Sequence, residues 1–288
     1  MKYLIKLARP KHWVKNLLIF APLFFSQQVS LEHFQNNILA FIAFSLTASS
    51  IYILNDIVDA PKDRKHPEKK NRPLAAQKVS VQAAIVEIII FLCISAAISS
   101  LLPKTFWLVL TGYTLLNVAY SYGLKSLLII DVMILAAGFV MRILAGGFTA
   151  DVPVSHWIII CTFFGALFLG FGKRKNETML LQEDSHNHRK VLLHYTKDFL
   201  NQLMGLTAGM TIISYSLYTI DPQNIAHFQT ENLFYTIPFV VYGIFRYFHI
   251  LYNKTSGGDP TKIFLRDLPM VINVLLWIAS LFLILRWN

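Results

Sequence analysis

Apolar runs approaching the roughly 20 residues that cross a bilayer as a helix recur along this chain, with most of its charged residues gathered between them. Inside hydrocarbon every backbone N–H and C=O must be satisfied within its own segment, so runs of this kind fold as transmembrane helices. The sequence therefore predicts an all-α, polytopic membrane helix bundle of about nine transmembrane helices. The spans fall near 14–29, 36–55, 82–102, 106–123, 127–147, 154–172, 199–220, 232–251 and 268–286. The first is the weakest, being short and carrying Lys15, Asn16 and Pro22. Residues 1–288 read as a single transmembrane domain whose longest polar stretches lie at about 56–80 and 173–198. Loops of that length in a compact bundle usually carry function.

The positions of Lys and Arg choose the orientation. With a cytoplasmic N-terminus, the clusters at 2–15, 62–78, Lys125, 173–197 and 246–266 share one face and hold 23 of the 26 cations, as expected of cytoplasmic loops. Omitting the first span would move the five N-terminal cations to the opposite face. The formal charge of +10 is thus topological, and it suits anionic headgroups and phosphate substrates better than nucleic acid. Cys93 and Cys161 both sit within apolar runs, which argues against a disulfide framework. The N-terminal run lacks a small-x-small cleavage pattern and reads as a retained helix. The expectation is a multi-pass inner-membrane protein with its chemistry on the cytoplasmic side.

That chemistry centres on Asn55-Asp56-Ile57-Val58-Asp59-Ala60-Pro61-Lys62-Asp63. In a helix, Asn55, Asp59 and Asp63 lie on one face, and oxygen ligands so spaced suit Mg²⁺, which takes a few carboxylates together with waters and substrate phosphates. Pro61 complicates the geometry, since an internal proline removes a hydrogen bond and clashes with the preceding turn; Asp63 could begin a new segment. From Arg64 to Arg72 the chain supplies five cations in nine positions, Lys70 among them, and a metal beside clustered cations reads as a pyrophosphate site. The plainer reading is a solvated anchoring loop, although anchoring has no need of regularly spaced acids. His66 is placed to donate to a phosphate, and an exposed loop histidine explains it as well.

A second constellation, Tyr120-Ser121-Tyr122-Gly123-Leu124-Lys125 followed by Asp131, sets a cation and an acid at the end of a span pair. An ionisable group about four residues into an apolar helix is a functional candidate by default. Arg142 follows three turns along nearly the same face, forming either a polar stripe through Gly138 or a buried structural pair. Lys173 and Arg174 close the sixth span, where alone they would read as stop-transfer anchors. In Arg9-Pro10-Lys11-His12-Trp13-Val14-Lys15-Asn16, Lys15 and Asn16 lie too deep in the apolar register to be simple anchors. No phosphate-binding glycine loop and no Ser-His-Asp order is visible, which argues against an ATP-driven pump or a hydrolase.

Together these residues resemble the UbiA superfamily of intramembrane prenyltransferases in helix count, in the NDxxDxxxD motif after the second helix and in the aspartate motif after the fourth. The likeness is strongest to the phosphoribosyl-transferring branch. It rests on Arg9-Pro10-x-x-Trp13-x-Lys15-Asn16, on Asp63-Arg64-x-His66-Pro67-x-Lys69-Lys70-x-Arg72-Pro73, and on Phe171-Gly172-Lys173-Arg174. The second motif carries one Asp where aromatic prenyltransferases carry a pair, a departure that fits this branch. The resemblance implies a UbiA-like fold in which Asn55, Asp59 and Asp63 bind Mg²⁺ with diphosphate, and Lys15, Lys70, Arg72, Lys125, Lys173 and Arg174 surround phosphates. It implies further that Asp131 sits at the reaction centre and shares catalysis with Asp59 and Asp63, with Asn16, His66, Tyr122 and Arg142 as further substrate-binding candidates. The reaction so implied transfers 5-phosphoribosyl from phosphoribosyl diphosphate to a long polyprenyl phosphate. One alternative is a prenyltransferase using polyprenyl diphosphate with an aromatic or lipid acceptor. Another is a secondary transporter of an anionic solute, which the absence of a convincing internal repeat disfavours.

Overall fold

The computed structural model describes residues 2–26, 30–65, 69–181, 190–253, 263 and 266–286, with no strand among them. Among these residues seven helices are long and apolar enough to cross a membrane. The chain divides into two compact units, Met1–Val154 with Asp184–Val191 and Ser155–Glu183 with Leu192–Asn288.

The first unit is built on α3 (Leu31–Asp63), which follows α1 (Lys2–Ala8) and α2 (Ala21–Phe25) and is packed by α4 (Val81–Ser99), α5 (Lys104–Tyr122) and α6 (Ile130–Ala150). Small buried residues, Ala40, Ala43, Ser45, Thr47, Ala48, Ser49 and Ser50, let neighbouring backbones approach α3 closely. On one side, Thr47 Oγ1 meets Ser95 Oγ at 2.8 Å and Ser95 also donates to the Ala43 carbonyl. On another, Phe44, Phe106, Leu110 and Tyr113 fill the interior. The outer face of α4 leaves Ile85, Val86, Ile89 and Ile90 exposed, as suits a helix long and apolar enough to cross a membrane.

Contrary to the expected loop start at 56, α3 continues unbroken through Pro61 to Asp63. Pro61 falls in the last turn, where it forfeits only its own N–H bond to the preceding turn, and Arg64 N–H still reaches the Ala60 carbonyl.

The expected first span is a composite. Between α1 and α2, residues Pro10–Phe20 form an eleven-residue 3-10 run, far longer than such runs normally persist on their own. Tertiary contacts hold it. A Cβ on Gly146 of α6 would lie 1.9 Å from the Ile19 carbonyl oxygen, so only glycine admits the run there. From α3, Asn37 donates to that same carbonyl. Trp13 donates to Ser49 Oγ, which in turn donates to the Ala8 carbonyl.

The second unit contains α7 (His156–Leu181), α8 (Lys197–Ile220), α9 (Pro222–Phe228), α10 (Ile237–Asn253) and α11 (Leu268–Arg286). Within it α7 packs on α8, and α10 on both α8 and α11. The polar stretch expected from 173 starts as helix, because α7 meets no Gly or Pro after Gly172 and an Arg174–Glu177 pair at i, i+3 braces its last turns.

Candidate active site

The end of α3 carries three buried carboxylates, Asp56 at 2%, Asp59 at 7% and Asp63 at 6% exposure. Their spacing of three and then four residues places them along one stripe, with Asn55 beside them and half-buried. Three buried acids on one helix would repel and pay heavy desolvation unless countered. Arg9, Arg72 and Lys125 counter them, each brought from a different segment.

Arg9 reaches Asp56 Oδ1 at 2.5 Å while its guanidinium lies 5.3 Å from the Tyr52 ring centroid. Its backbone is left-handed, φ 53°, a conformation a non-glycine residue adopts at a cost and keeps only when its surroundings require it. Arg72 bridges two acids through a single nitrogen, Nη1, at 3.0 Å from Asp56 Oδ1 and 2.6 Å from Asp63 Oδ2. The loop that presents it is anchored by Leu74 and Val79, buried against Leu7 and Ile53. Lys125 lies in a 3-10 turn, Leu124–Ser126, between α5 and α6. Its Nζ meets Asp59 Oδ1 at 2.6 Å and Asn55 Oδ1 at 3.3 Å, and Asn55 Nδ2 donates to the other Asp59 oxygen.

Asn55, Asp59, Asp63, Arg72 and Lys125 of the expected site are therefore assembled in one cluster. Two members were not anticipated. Asp56 stands beside Asn55 in the motif, and the i, i+3, i+7 register of 56, 59 and 63 was the available signal. Arg9 was visible only as part of a basic N-terminal patch. Asp131 is fully buried in the first turn of α6, an end that favours a carboxylate. The residue capping that helix, Ile129, has φ 69°, an outlier for a β-branched side chain. Lys15 is half-buried in the 3-10 run, whereas Lys70 and Tyr122 are exposed. His66 lies outside the described residues.

Asn16 and Arg142 form a network of their own. Arg142 Nε donates to Asn16 Oδ1 at 2.7 Å, Nη1 to the Gly138 carbonyl and Nη2 to the Tyr113 hydroxyl. Asn16 in turn donates to Ser45 Oγ. The guanidinium lies within 5.0 to 5.4 Å of the Phe44, Tyr113 and Phe139 ring centroids. This pair ties the 3-10 run to α3 and α6. In the second unit Lys173 is exposed, and Arg174 is buried and paired with Glu177 at 2.5 Å.

The donor types suit a hard divalent cation, although among the described residues no three acidic or histidine side chains stand close enough together to hold one as placed. Oxygens of Asn55 and Asp59 already converge on one ammonium nitrogen, and those of Asp56 and Asp63 on one guanidinium nitrogen. Such carboxylate and amide oxygens are what Mg²⁺ and its relatives bind, alongside water and phosphate.

Comparison with known proteins adds a second line. The family model described as the UbiA prenyltransferase family matches residues 17–282. A decaprenyl-phosphate phosphoribosyltransferase of Mycolicibacterium smegmatis is 32% identical, with 96% of this chain and 91% of that protein covered. The enzyme of the same name from Corynebacterium glutamicum is also 32% identical, over 96% of this chain and 84% of its own. Among solved structures, a UbiA homolog from Archaeoglobus fulgidus bound to GPP and Mg²⁺ superposes with a TM-score of 0.74 over 98% of this chain and 99% of that one. At 20% identity this last likeness speaks for the fold alone.

Proposed function

The chain belongs to the UbiA prenyltransferase family, and from that premise we propose that it transfers 5-phosphoribosyl from phosphoribosyl diphosphate to the phosphate of a polyprenyl phosphate, releasing diphosphate. The observation that carries the reading is the likeness along nearly the whole chain to enzymes named for that transfer. The acid cluster supplies matching chemistry. The bond between the anomeric carbon and the diphosphate oxygen breaks, and a bond from that carbon to an acceptor phosphate oxygen forms. Positive charge grows on the ribose ring and negative charge on the leaving diphosphate, so pre-placed cations stabilise the latter.

Asn55, Asp59 and Asp63 hold a divalent cation, Mg²⁺, which when bound neutralises part of the diphosphate charge. Oxygens of all three already face cations in this chain. Lys125 and Arg72, held beside these acids, supply further positive charge next to the leaving group, joined by Lys15 and Lys70; Lys173 and Arg174 are the second unit's phosphate-binding candidates. Arg9 keeps Asp56 neutralised. Asp131, buried at the head of α6, steadies the oxocarbenium-like ring or orients a ribose hydroxyl, as carboxylates do in glycosyl transfer. The acceptor is already an anion and needs little general base. The two units work as one transmembrane domain in an inner membrane, with the site at the cytoplasmic face, in keeping with the distribution of Lys and Arg.

The test is direct: purified protein with Mg²⁺, phosphoribosyl diphosphate and polyprenyl phosphate should yield the phosphoribosyl lipid and diphosphate. The competing reading takes a prenyl diphosphate as donor, as the ligands of the A. fulgidus homolog suggest for that protein. Consumption of geranyl diphosphate with an aromatic acceptor, and none of phosphoribosyl diphosphate, would replace the proposal with it.

A further inference from the structure

Lys175, on α7, is 1% exposed, and its Nζ has no hydrogen-bond partner among the described residues. Its one partner of note is the ring of Tyr252, 3.3 Å away at the centroid. A ring face repays only part of the cost of desolvating an ammonium. Among the described residues, therefore, no acceptor meets the three donors of Lys175. Tyr252 itself is 54% exposed, and its hydroxyl donates to Asn201 Oδ1 at 3.1 Å in an exposed hydrogen bond.

Lys175 also ends a stripe. Phe168, Gly172 and Lys175 follow one another along α7, and Tyr247, Phe248, Leu251 and Tyr252 follow in the same direction along α10. Gly172 permits the approach, since a Cβ there would fall 2.7 Å from the Tyr247 hydroxyl. One turn further into the bundle, Tyr247 and Phe168 open onto a cavity of about 230 Å³ between α7, α8, α10 and α11, walled by Phe239, Val274 and Trp277 among others. Pockets that enclose whole small molecules hold roughly 300–1,000 Å³, so this one suits one end of a longer apolar chain. A buried ammonium thus sits above an apolar cavity along the same two helices.

We propose that the second unit carries a binding site for a lipid monophosphate, with the phosphate on Lys175 and the first isoprene units of its tail in the cavity below. The inference rests on the reading of a polyprenyl phosphate as acceptor and assigns that acceptor a place. Charge complementarity selects the head group and the apolar lining selects the tail. Tyr252 swings aside as the phosphate arrives, exchanging a ring face for charge-assisted hydrogen bonds.

The test uses the full-length protein and a polyprenyl phosphate bearing a diazirine in its first isoprene units. After irradiation, mass spectrometry should place the label on the α10 or α11 peptides that include Phe239 or Val274; labelling confined to other helices overturns the site. In turnover, Lys175→Met should raise the acceptor KM by about tenfold or more, leave the phosphoribosyl diphosphate KM within about twofold, and be rescued by Lys175→Arg. An unchanged acceptor KM overturns it, as does equal competition for labelling by phosphatidylglycerol, which would mark a general lipid groove. Wild-type turnover of polyprenyl phosphate with labelling elsewhere removes this site and leaves the proposed reaction standing. Wild-type use of prenyl diphosphate alone removes both.

Discussion

Replacing Lys125 by Met separates the electrostatics of the site from its chemistry. The substitution removes the ammonium held 2.6 Å from Asp59 Oδ1, in a pair whose side chains are only 12% and 10% exposed, so solvent compensates little of the loss. Breaking a buried pair by removing one partner costs about 3–5 kcal/mol; Asn55 Nδ2 still donates to Asp59, which favours the lower end. At roughly 2–4 °C per kcal/mol for a unit of this size, the metal-free thermal midpoint should fall by about 6–12 °C. Lys125 also occupies the point on which Asn55 and Asp59 oxygens converge. Saturating Mg²⁺ should therefore restore more stability to the variant than to the wild type, and Mg²⁺ should bind the substrate-free variant more tightly. Inorganic diphosphate should bind it more weakly. The assay is a thermal melt in detergent with and without Mg²⁺, paired with calorimetric titration of Mg²⁺ and then diphosphate. A double variant, Lys125→Met with Asp59→Asn, should recover most of the lost stability, because no uncompensated charge remains. An unshifted metal-free midpoint, or Mg²⁺ affinity that falls with Lys125, would refute this account of the cluster.

Asp59→Ala and Asp63→Ala should each lower turnover at least ~100-fold, on the order of 3 kcal/mol of transition-state stabilisation, and chelation by EDTA should silence the wild type; activity surviving EDTA would exclude a metal role for these acids. Gly146→Ala forces a Cβ against the Ile19 carbonyl and should destabilise the first unit by about 1–3 kcal/mol, read as a lower thermal midpoint. Lys173→Ala should weaken phosphoribosyl diphosphate binding by about 1.5–3 kcal/mol, as expected for one lost charge-assisted contact, while the Mg²⁺ requirement is unchanged. Single cysteines at Lys70 and Lys173 should be labelled by an impermeant reagent from the same membrane face, and labelling from opposite faces would end the shared-face topology.

Much of this was legible in the chain itself. Hydrophobic runs located the helices after the first span because bilayer thickness and backbone hydrogen bonding constrain a segment of that length so strongly. The four-residue spacing of Asn55, Asp59 and Asp63 placed their oxygens on one face because helical periodicity is a local property. Basic clusters pointed to anionic ligands for the same kind of local reason. What pairs with what was not legible. The partners of Asp56 are 47 and 16 residues away, Arg9 and Arg72, and no periodicity within α3 encodes a contact made by another segment. The eleven-residue 3-10 run went unread because it exists only against Gly146, Asn37 and Ser49; its own sequence reads equally as a poor α-helix.

Asn16 and Arg142 show the division most clearly. As a sequence, both are polar groups set too deep in apolar runs, and burial cost marks such groups as important without saying for what. The tertiary structure joined them to each other across 126 residues, and so made them a fastening for the 3-10 run. Chain-local physics decides where helices lie and which side chains share a face. Only packing between helices decides which buried charge meets which, because that energy depends on distances of a few ångströms between segments remote along the chain.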